Sequence, residues 1–453
     1  MKPIAIIGAG IAGLTAADDL RRRGFPVIVF EAGGSIGGMA SSFKDAEGFS
    51  YDFGAHFVNN RLAEALGASA ICRTVKYYGE SVHQGGKTYG YPFGLMRSPH
   101  FVGSAIAARL RRGEADNAAD WFRRSYGDAL AEEVAIPLAE AWSGAPADQL
   151  SAAVGNKMAH GGLKSLYLKA ASRLTGRAVC NGYAHELPEN PGVYHVYPEG
   201  GVARLLEPTA LRVAPLIRMG SPVESIVVDE ERVVAVVVHG KEIAVSAAVS
   251  TAPVHILPKL VKGTRALDHL AAFRYRPMIF VNLRFSGRNL LPDTMVWVPD
   301  RRMPFFRLTE APISMPWLAP DGKTQITFDI GAQVGDHFWT MPEDKLAELC
   351  LDGICEMFPS LRRNYLSAGG ILRTPVAYPV YLSQYENERQ QFSRSTGVQG
   401  LYSIGRNGEF AHLLMEDVYV RTLKRTAALA ASIEAAPHSG DFGLQTSPAT
   451  MAA

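Results

Sequence analysis

Ile4-Ala5-Ile6-Ile7-Gly8-Ala9-Gly10-Ile11-Ala12-Gly13 runs four apolar residues straight into Gly-x-Gly-x-x-Gly. An uninterrupted apolar run suits a central parallel strand covered on both faces. Leu14, Ala17 and Leu20 then recur at helical spacing, with Ala16 as a small neighbour, until Gly24. Val27-Ile28-Val29-Phe30 reads as a second strand and ends at Glu31. Strand, glycine turn, helix, strand and acid in that order, within about thirty residues, form a dinucleotide-binding βαβ pattern. Gly8 permits the tight turn, Gly10 lets a pyrophosphate approach the backbone, and Gly13 lets the helix pack against the strand. The helix start offers unpaired N–H groups and the positive end of its dipole to phosphate. Glu31 is placed to accept hydrogen bonds from a ribose diol, and its charge disfavours a 2′-phosphate. The motif by itself does not separate NAD from FAD.

The rest of the composition narrows the class. The 453 residues carry 46 Lys and Arg against 44 Asp and Glu, a formal net charge of +2. No global field therefore selects nucleic acid or an anionic membrane. At 47% apolar and 20% charged the chain is ordinary globular material, long enough to bury a core without disulfide staples. Cys72, Cys180, Cys350 and Cys355 are too scattered for a disulfide framework, and the closest pair lacks the second pair that a zinc site needs. No metal is expected. No run approaches the roughly 18 apolar residues of a spanning helix, and the first residues lack the serial regions of a leader peptide. The expectation is a cytoplasmic protein acting on a small-molecule substrate.

Residues 61 to 190 are mostly helical in period. Glu230 to Thr251 reads as a strand pair, Val233 to Val238 and Ile243 to Ser250, turning at His239-Gly240-Lys241-Glu242. Residues 273 to 390 look like strands carrying Arg and aromatic residues, with a helix near 343–357. Leu401 to Ile404 reads as a short strand, a long helix follows from about Glu416 to Ala436, and the tail from Pro437 is expected to be disordered.

A second glycine pair stands just beyond the acid, in Glu31-Ala32-Gly33-Gly34-Ser35-Ile36-Gly37-Gly38-Met39. Asp52-Phe53-Gly54-Ala55-His56 follows, and Gly405-Arg406 with Met415-Glu416-Asp417 comes near the end. These segments resemble the flavin amine oxidase superfamily. Tyr89-Gly90-Tyr91-Pro92-Phe93, Trp142-Ser143-Gly144, Tyr197-Pro198-Glu199-Gly200-Gly201 and Ala377-Tyr378-Pro379-Val380-Tyr381 resemble its protoporphyrinogen-oxidase-like group, which includes UDP-galactopyranose mutase. The resemblance implies an α/β fold with a Rossmann-type FAD-binding domain, a parallel sheet with helices on both faces, interleaved with an α+β substrate domain. The FAD domain would come from residues 1–60, 190–260 and 395–436, and the substrate domain from 61–189 and 261–394.

The same resemblance implies noncovalent FAD, since no Cys lies in a covalent-flavin context. It implies cofactor contacts from Gly8, Gly10, Ile11, Ala12, Gly13, Glu31, Ala32, Gly37, Gly38, Met39, Gly54, Ala55, His56, Gly405, Arg406 and Met415. Val223 stands where the family's middle stretch touches the adenine. Arg406 would approach the pyrophosphate or ribityl chain, and the last helix would aim its N-terminus at the flavin pyrimidine.

The expected chemistry is hydride transfer from the substrate to FAD. Two other readings fit the family: a mutase-like isomerase using reduced FAD on a nucleotide sugar, and a non-catalytic module like the Rab GDP-dissociation inhibitors. Two departures weigh against a mutase. Asn59 stands where mutases carry a second His, and Ala411-His412 stand in place of an Arg-Tyr pair. Met39 also replaces the Arg of monoamine-oxidase-type enzymes. His56 is the side chain expected nearest the flavin, able to move a proton near neutral pH. His412, Arg373 and Tyr381 are further catalytic candidates. Alternation puts Arg274, Arg276 and Arg284 on one strand face. With Arg307 and Arg373 they would clamp an anion, and Tyr378, Tyr381 and Tyr385 would offer stacking faces.

Overall fold

Ile4–Ile7 forms the expected strand and is the middle member of a five-stranded parallel sheet. The order is Leu401–Ser403, Ala247–Ser250, Ile4–Ile7, Val27–Phe30 and Ile217–Arg218. Ile4 and Ile6 join one core cluster and Ala5 another, so both faces of the strand are buried. This computed structural model describes residues 1–91, 94–110, 113–157, 162–182 and 184–435; the expected disordered tail at 437–453 lies outside them.

On one face the helix Ile11–Arg22 packs against the final helix Met415–Glu434 and against Glu207–Val213. Ala16 and Ala17 are fully buried, and their small side chains permit this close approach of helices. A buried hydrogen bond from Thr426 Oγ1 to Asp19 Oδ2, 2.6 Å, ties the last helix to the first.

The mixed α/β expectation holds, with one difference on the other face. There Ala5, Phe30 and Ala248 pack on Val233, Val236 and Ile226. These belong to a four-stranded sheet ordered Lys241–Ala244, Arg232–Val238, Val223–Asp229 and Val261–Lys262. A run of β-branched valines makes a flat apolar cover where a helix was expected. The second half of the anticipated strand pair also divides. Lys241–Ala244 completes the hairpin, whereas Ala247–Ser250 crosses to pair with Ile4–Ile7. Ala247 to Ser250 is buried throughout, and its small residues suit a strand enclosed on both sides.

A seven-stranded sheet forms the other half. It is ordered Tyr365–Pro379, Tyr275–Ser286, Lys323–Gly331, Arg307–Thr309, Met295–Trp297, Glu80–Gln84 and Lys87–Gly90. The hairpin Glu80–Gly90 lies within the stretch read as helical; its two short strands carry no long period to detect. Ile279, Val281, Leu283 and Phe285 pack on the helix Glu343–Met357 through Leu346, Cys350 and Ile354. Met278 and Phe280 turn to the opposite face and join the cluster that includes Ala5 and Phe30. That face carries the candidate site.

Candidate functional site

Three glycine segments from distant parts of the chain meet at the start of the helix Ile11–Arg22. Gly8 has φ +101°, a conformation that suits glycine, and a Cβ on Gly13 would overlap the Gly8 carbonyl oxygen. Gly37 N donates to Ala9 O at 3.0 Å, and Gly37 bridges Gly10. Gly405, with φ +81°, presses on Ala12, since a Cβ there would lie 2.8 Å from Ala12 Cβ. Gly10 is the helix N-cap without a side-chain cap, leaving the N–H groups of Ile11, Ala12 and Gly13 as orphan donors. Among the described residues, a Cβ on Gly10 would find within 4 Å only the Gly37 carbonyl group, nearest at 3.6 Å. Open space above backbone donors at a positive dipole end fits a pyrophosphate.

The Glu31 carboxylate accepts from Ala9 N at 2.7 Å and Gly33 N at 2.8 Å. It is held at the strand end with lone pairs to spare for a diol. Glu31 O also accepts from Ser221 N at 2.8 Å, which brings Val223 into the same neighbourhood as Glu31 and Ala32. The donor set and the glycine cradle therefore fit FAD.

Gly38 has φ +56°, and Met39 follows it with its sulfur 3.7 Å from Thr374 Oγ1. This joins the second glycine pair to the seven-stranded sheet. Gly54, φ +72°, stands so close to Phe280 and Arg307 that a Cβ would lie 2.8 Å from the Phe280 ring. The chain then passes Ala55 to His56.

Burial holds the His56 imidazole below its ordinary range; Asp52 opposes this, and Arg406 and Arg307 reinforce it. Asp52 is itself occupied, accepting from Tyr197 Oη at 2.5 Å, from Val202 N at 3.2 Å and from Ser42 Oγ. His56 Nε2 is buried without a hydrogen-bond partner among the described residues, so a neutral imidazole presents an uncommitted nitrogen.

Burial works against the charge of Arg307, and its buried ion pair with Asp329 more than offsets that, keeping the guanidinium charged. Arg406 differs. Its guanidinium stacks 4.8 Å over the Tyr378 ring and hydrogen-bonds that side chain. Burial lowers its proton affinity. No carboxylate pairs with it among the described residues.

Next to Arg406, His412 lies edge-on to Trp142 at 5.1 Å and 4.6 Å from the Tyr381 ring. Tyr381 Oη accepts from the His412 backbone N–H at 3.0 Å, so this tyrosine holds the link that leads into the last helix. Met415 begins that helix. The two acids of its first turn are engaged elsewhere, Glu416 with Arg61 and Asp417 with the backbone N–H groups of His185 and Glu186.

The five-arginine clamp does not form. Arg373 pairs across the ladder with Ile279, so it shares the face of the helix Glu343–Met357 and binds Glu343 Oε1 at 3.0 Å. Its proposed catalytic place is corrected: it points away from His56. Arg274 is exposed, Arg284 is bound by Asp45 and Glu47, and Arg276 lies beneath Gly144 and Gly331. Alternation holds along the strand Tyr275–Ser286, whose register with Lys323–Gly331 is unbroken from Met278 to Ser286; the clamp fails because Arg284 has its own carboxylates and Arg373 stands on the opposite face. Tyr385 is a packing residue, stacked on Phe273 at 4.6 Å with its hydroxyl on the Val380 carbonyl. Asn59, read as a departure, caps the helix Asn60–Leu66 by accepting from Leu62 N at 2.9 Å. Sequence reasoning missed Asp329, whose signal was only a lone acid in an apolar strand, and Trp142, which it quoted but gave no role.

Comparison with known proteins agrees with this geometry. The profile of the family described as flavin containing amine oxidoreductase matches residues 11–420. The chain belongs to that family, and its cofactor is FAD. The member's fold resembles a crystal structure of reduced UDP-galactopyranose mutase, at TM-score 0.80 and 17% identity over 95% of this chain and 96% of that one. It also resembles cyclohexylamine oxidase from Brevibacterium oxydans IH-35A, at TM-score 0.68 and 16% identity over 96% and 99%. A zeta-carotene desaturase of Synechocystis sp. is 31% identical over 106 residues, 22% of this chain and 22% of that protein. The chain thus matches about a fifth of that curated relative's length. No helix among the described residues is long and apolar enough to cross a membrane.

Proposed function

We propose that this family member is an FAD-dependent oxidoreductase that takes a hydride from a small polar or anionic substrate. The observation that carries the reading is His56 Nε2, buried, uncommitted and attached to an imidazole kept neutral near pH 7. Such a nitrogen can accept the proton that a substrate O–H or N–H releases as its carbon is oxidised. FAD supplies the hydride acceptor.

The other assignments follow from charge and shape. Arg406, a buried guanidinium with no carboxylate partner among the described residues, favours an anionic group beside it, the cofactor's or the substrate's. Arg307 is fixed by Asp329 and adds a positive field to the same side of His56. Tyr381 acts as a positioning residue for His412, while Trp142, Tyr378 and His412 offer ring surfaces to a flat substrate. We assign the parallel sheet with the four-stranded sheet to FAD binding, and the seven-stranded sheet with the helices of residues 99–175 to substrate binding.

Anaerobic mixing of FAD-loaded protein with candidate amines, alcohols and hydroxy acids tests the reading. Bleaching near 450 nm by a substrate supports it, and a His56→Gln variant should bleach about 100-fold more slowly, the scale of one general base. Turnover of a nucleotide sugar only after prior reduction, with no net oxidation, would replace it with the isomerase.

A further inference from the structure

A cavity of about 40 Å³ lies against His56, walled also by Tyr78, Thr309, Gln325 and Thr327. His56 Nε2, Tyr78 Oη, Thr309 Oγ1 and Gln325 Oε1 are each buried, and none finds a hydrogen-bond partner among the described residues. Burying one polar atom unbonded is costly, and four around a single cavity mark a place built for something that donates and accepts. A polar cavity of this size admits water, which needs two to four polar partners.

The orientation of the wall is determined by its neighbours. Asn282 Nδ2 donates to Gly370 O at 2.7 Å, so its Oδ1 faces the other way. That oxygen accepts from Thr327 Oγ1 at 2.6 Å and from Gln325 Nε2 at 3.1 Å. Gln325 is thereby obliged to present Oε1, a pure acceptor, to the cavity. Tyr78 lines this cavity and also a groove of about 910 Å³ bounded by Phe57, Lys169, His195 and Asp293. Its ring packs on Phe57 at 5.4 Å and on His195 at 5.2 Å, which sets it as the partition between the two spaces.

We propose that the cavity holds a small water cluster, and that this cluster with the Tyr78 hydroxyl forms the path by which His56 exchanges its proton with the groove. The proposal rests on the reading of His56 as the group that handles a proton, but concerns its exit route. A hydroxyl both donates and accepts, so Tyr78 can pass a proton without ionising. Burial, with Glu80 and Asp293 nearby, keeps it protonated, and Arg307 opposes them only in part. The charges facing His56 are Asp52, Arg406 and Arg307, and none of these lines a route out through the cavity except Asp52, whose oxygens are already engaged. Tyr78, Thr309 and Gln325 are therefore positioning residues.

The test uses FAD-loaded protein without substrate, with ¹⁵N-labelled histidine, and measures solvent exchange of the His56 imidazole proton by NMR. Tyr78→Phe keeps the partition and removes the relay, so exchange at His56 should slow at least tenfold while the flavin absorbance is unchanged. Thr309→Val should slow it too, and serves if Tyr78→Phe does not fold. Wild-type exchange rates in the folded variants would overturn the path. Because the readout needs no turnover, a protein that oxidises no candidate substrate yet shows the slowed exchange sinks the oxidoreductase reading and supports the path. Hydride transfer with unaltered exchange does the reverse.

Discussion

Gly405 touches Ala12: the closing segment of the chain forms a wall of the cradle that its opening segment begins, and a Cβ on Gly405 would lie 2.8 Å from Ala12 Cβ. Gly405 also adopts φ +81°. Gly405→Ala should therefore lose about 1–2 kcal/mol from the backbone alone, and more from displacing the first helical turn. Thermal unfolding and FAD titration should shift together, because one contact serves both. A loss of FAD affinity at unchanged stability would show that the contact is absent.

Gly10 and Gly13 should separate cofactor binding from folding. Gly10→Val places bulk in open space where phosphate must approach, so the variant should fold and lack the flavin bands. Gly13→Ala drives a methyl into the Gly8 carbonyl and should cost about 3 kcal/mol, the scale of overpacking. A folded Gly10→Val protein with full FAD content would displace the cradle from this loop.

The Arg307–Asp329 pair is buried on both sides. Asp329→Ala would leave a guanidinium uncompensated and should destabilise the protein by about 3–5 kcal/mol. Replacing both residues by apolar ones should recover much of that loss. A denaturant series on the single and double variants measures it.

Arg373→Ala should leave FAD content and turnover unchanged, since its partners Glu343 and Met341 belong to the helix side of the sheet. A half-exposed ion pair contributes at most about 1 kcal/mol. Stopped-flow reduction of the variant checks this, and slower reduction would bring Arg373 back to the reacting groups.

Stability should fall as pH drops below about 6.5. Burial pushes the His195 imidazole down to about 4, with its bond to the Val58 carbonyl partly opposing. Between about 6.5 and 4 the unfolded chain binds a proton that the folded chain refuses, so this stability is complete above the higher value and gone below the lower one. The loss is about 3 kcal/mol at most, and His56, lowered in the same direction, adds to it. A His195→Phe variant should show a flatter pH profile of the denaturation midpoint.

The cradle was legible because a phosphate site imposes rules on adjacent residues: glycines where backbone must approach, an acid at the strand end, a helix immediately after. Gly8 to Gly13, Glu31 and the pair at Gly37 and Gly38 obey those rules in order. The clamp was not legible because alternation gives the face of a side chain but not its partners: Arg284 meets Asp45 and Glu47, which are distant in sequence, and Arg373 lies on the opposite face. Arg373 and Thr374 are neighbours, yet one reaches Glu343 and the other Met39. The hairpin at 80–90 was hidden by its brevity, and the second covering sheet by the likeness of a valine run to any buried strand.

The strand Leu401–Ser403 and the helix Met415–Glu434 are the last described elements to be synthesised. Until they emerge from the ribosome, the helix Ile11–Arg22 has no Leu413, Val418 or Leu429 against which to bury Leu14, Ala17 and Leu20, and Ala12 has no Gly405 against it. The nascent chain carries the nucleotide motif from its first residues but lacks the packing that makes it a binding site. A chain ending before residue 400 should therefore lose FAD binding and the cover of its first helix in one step.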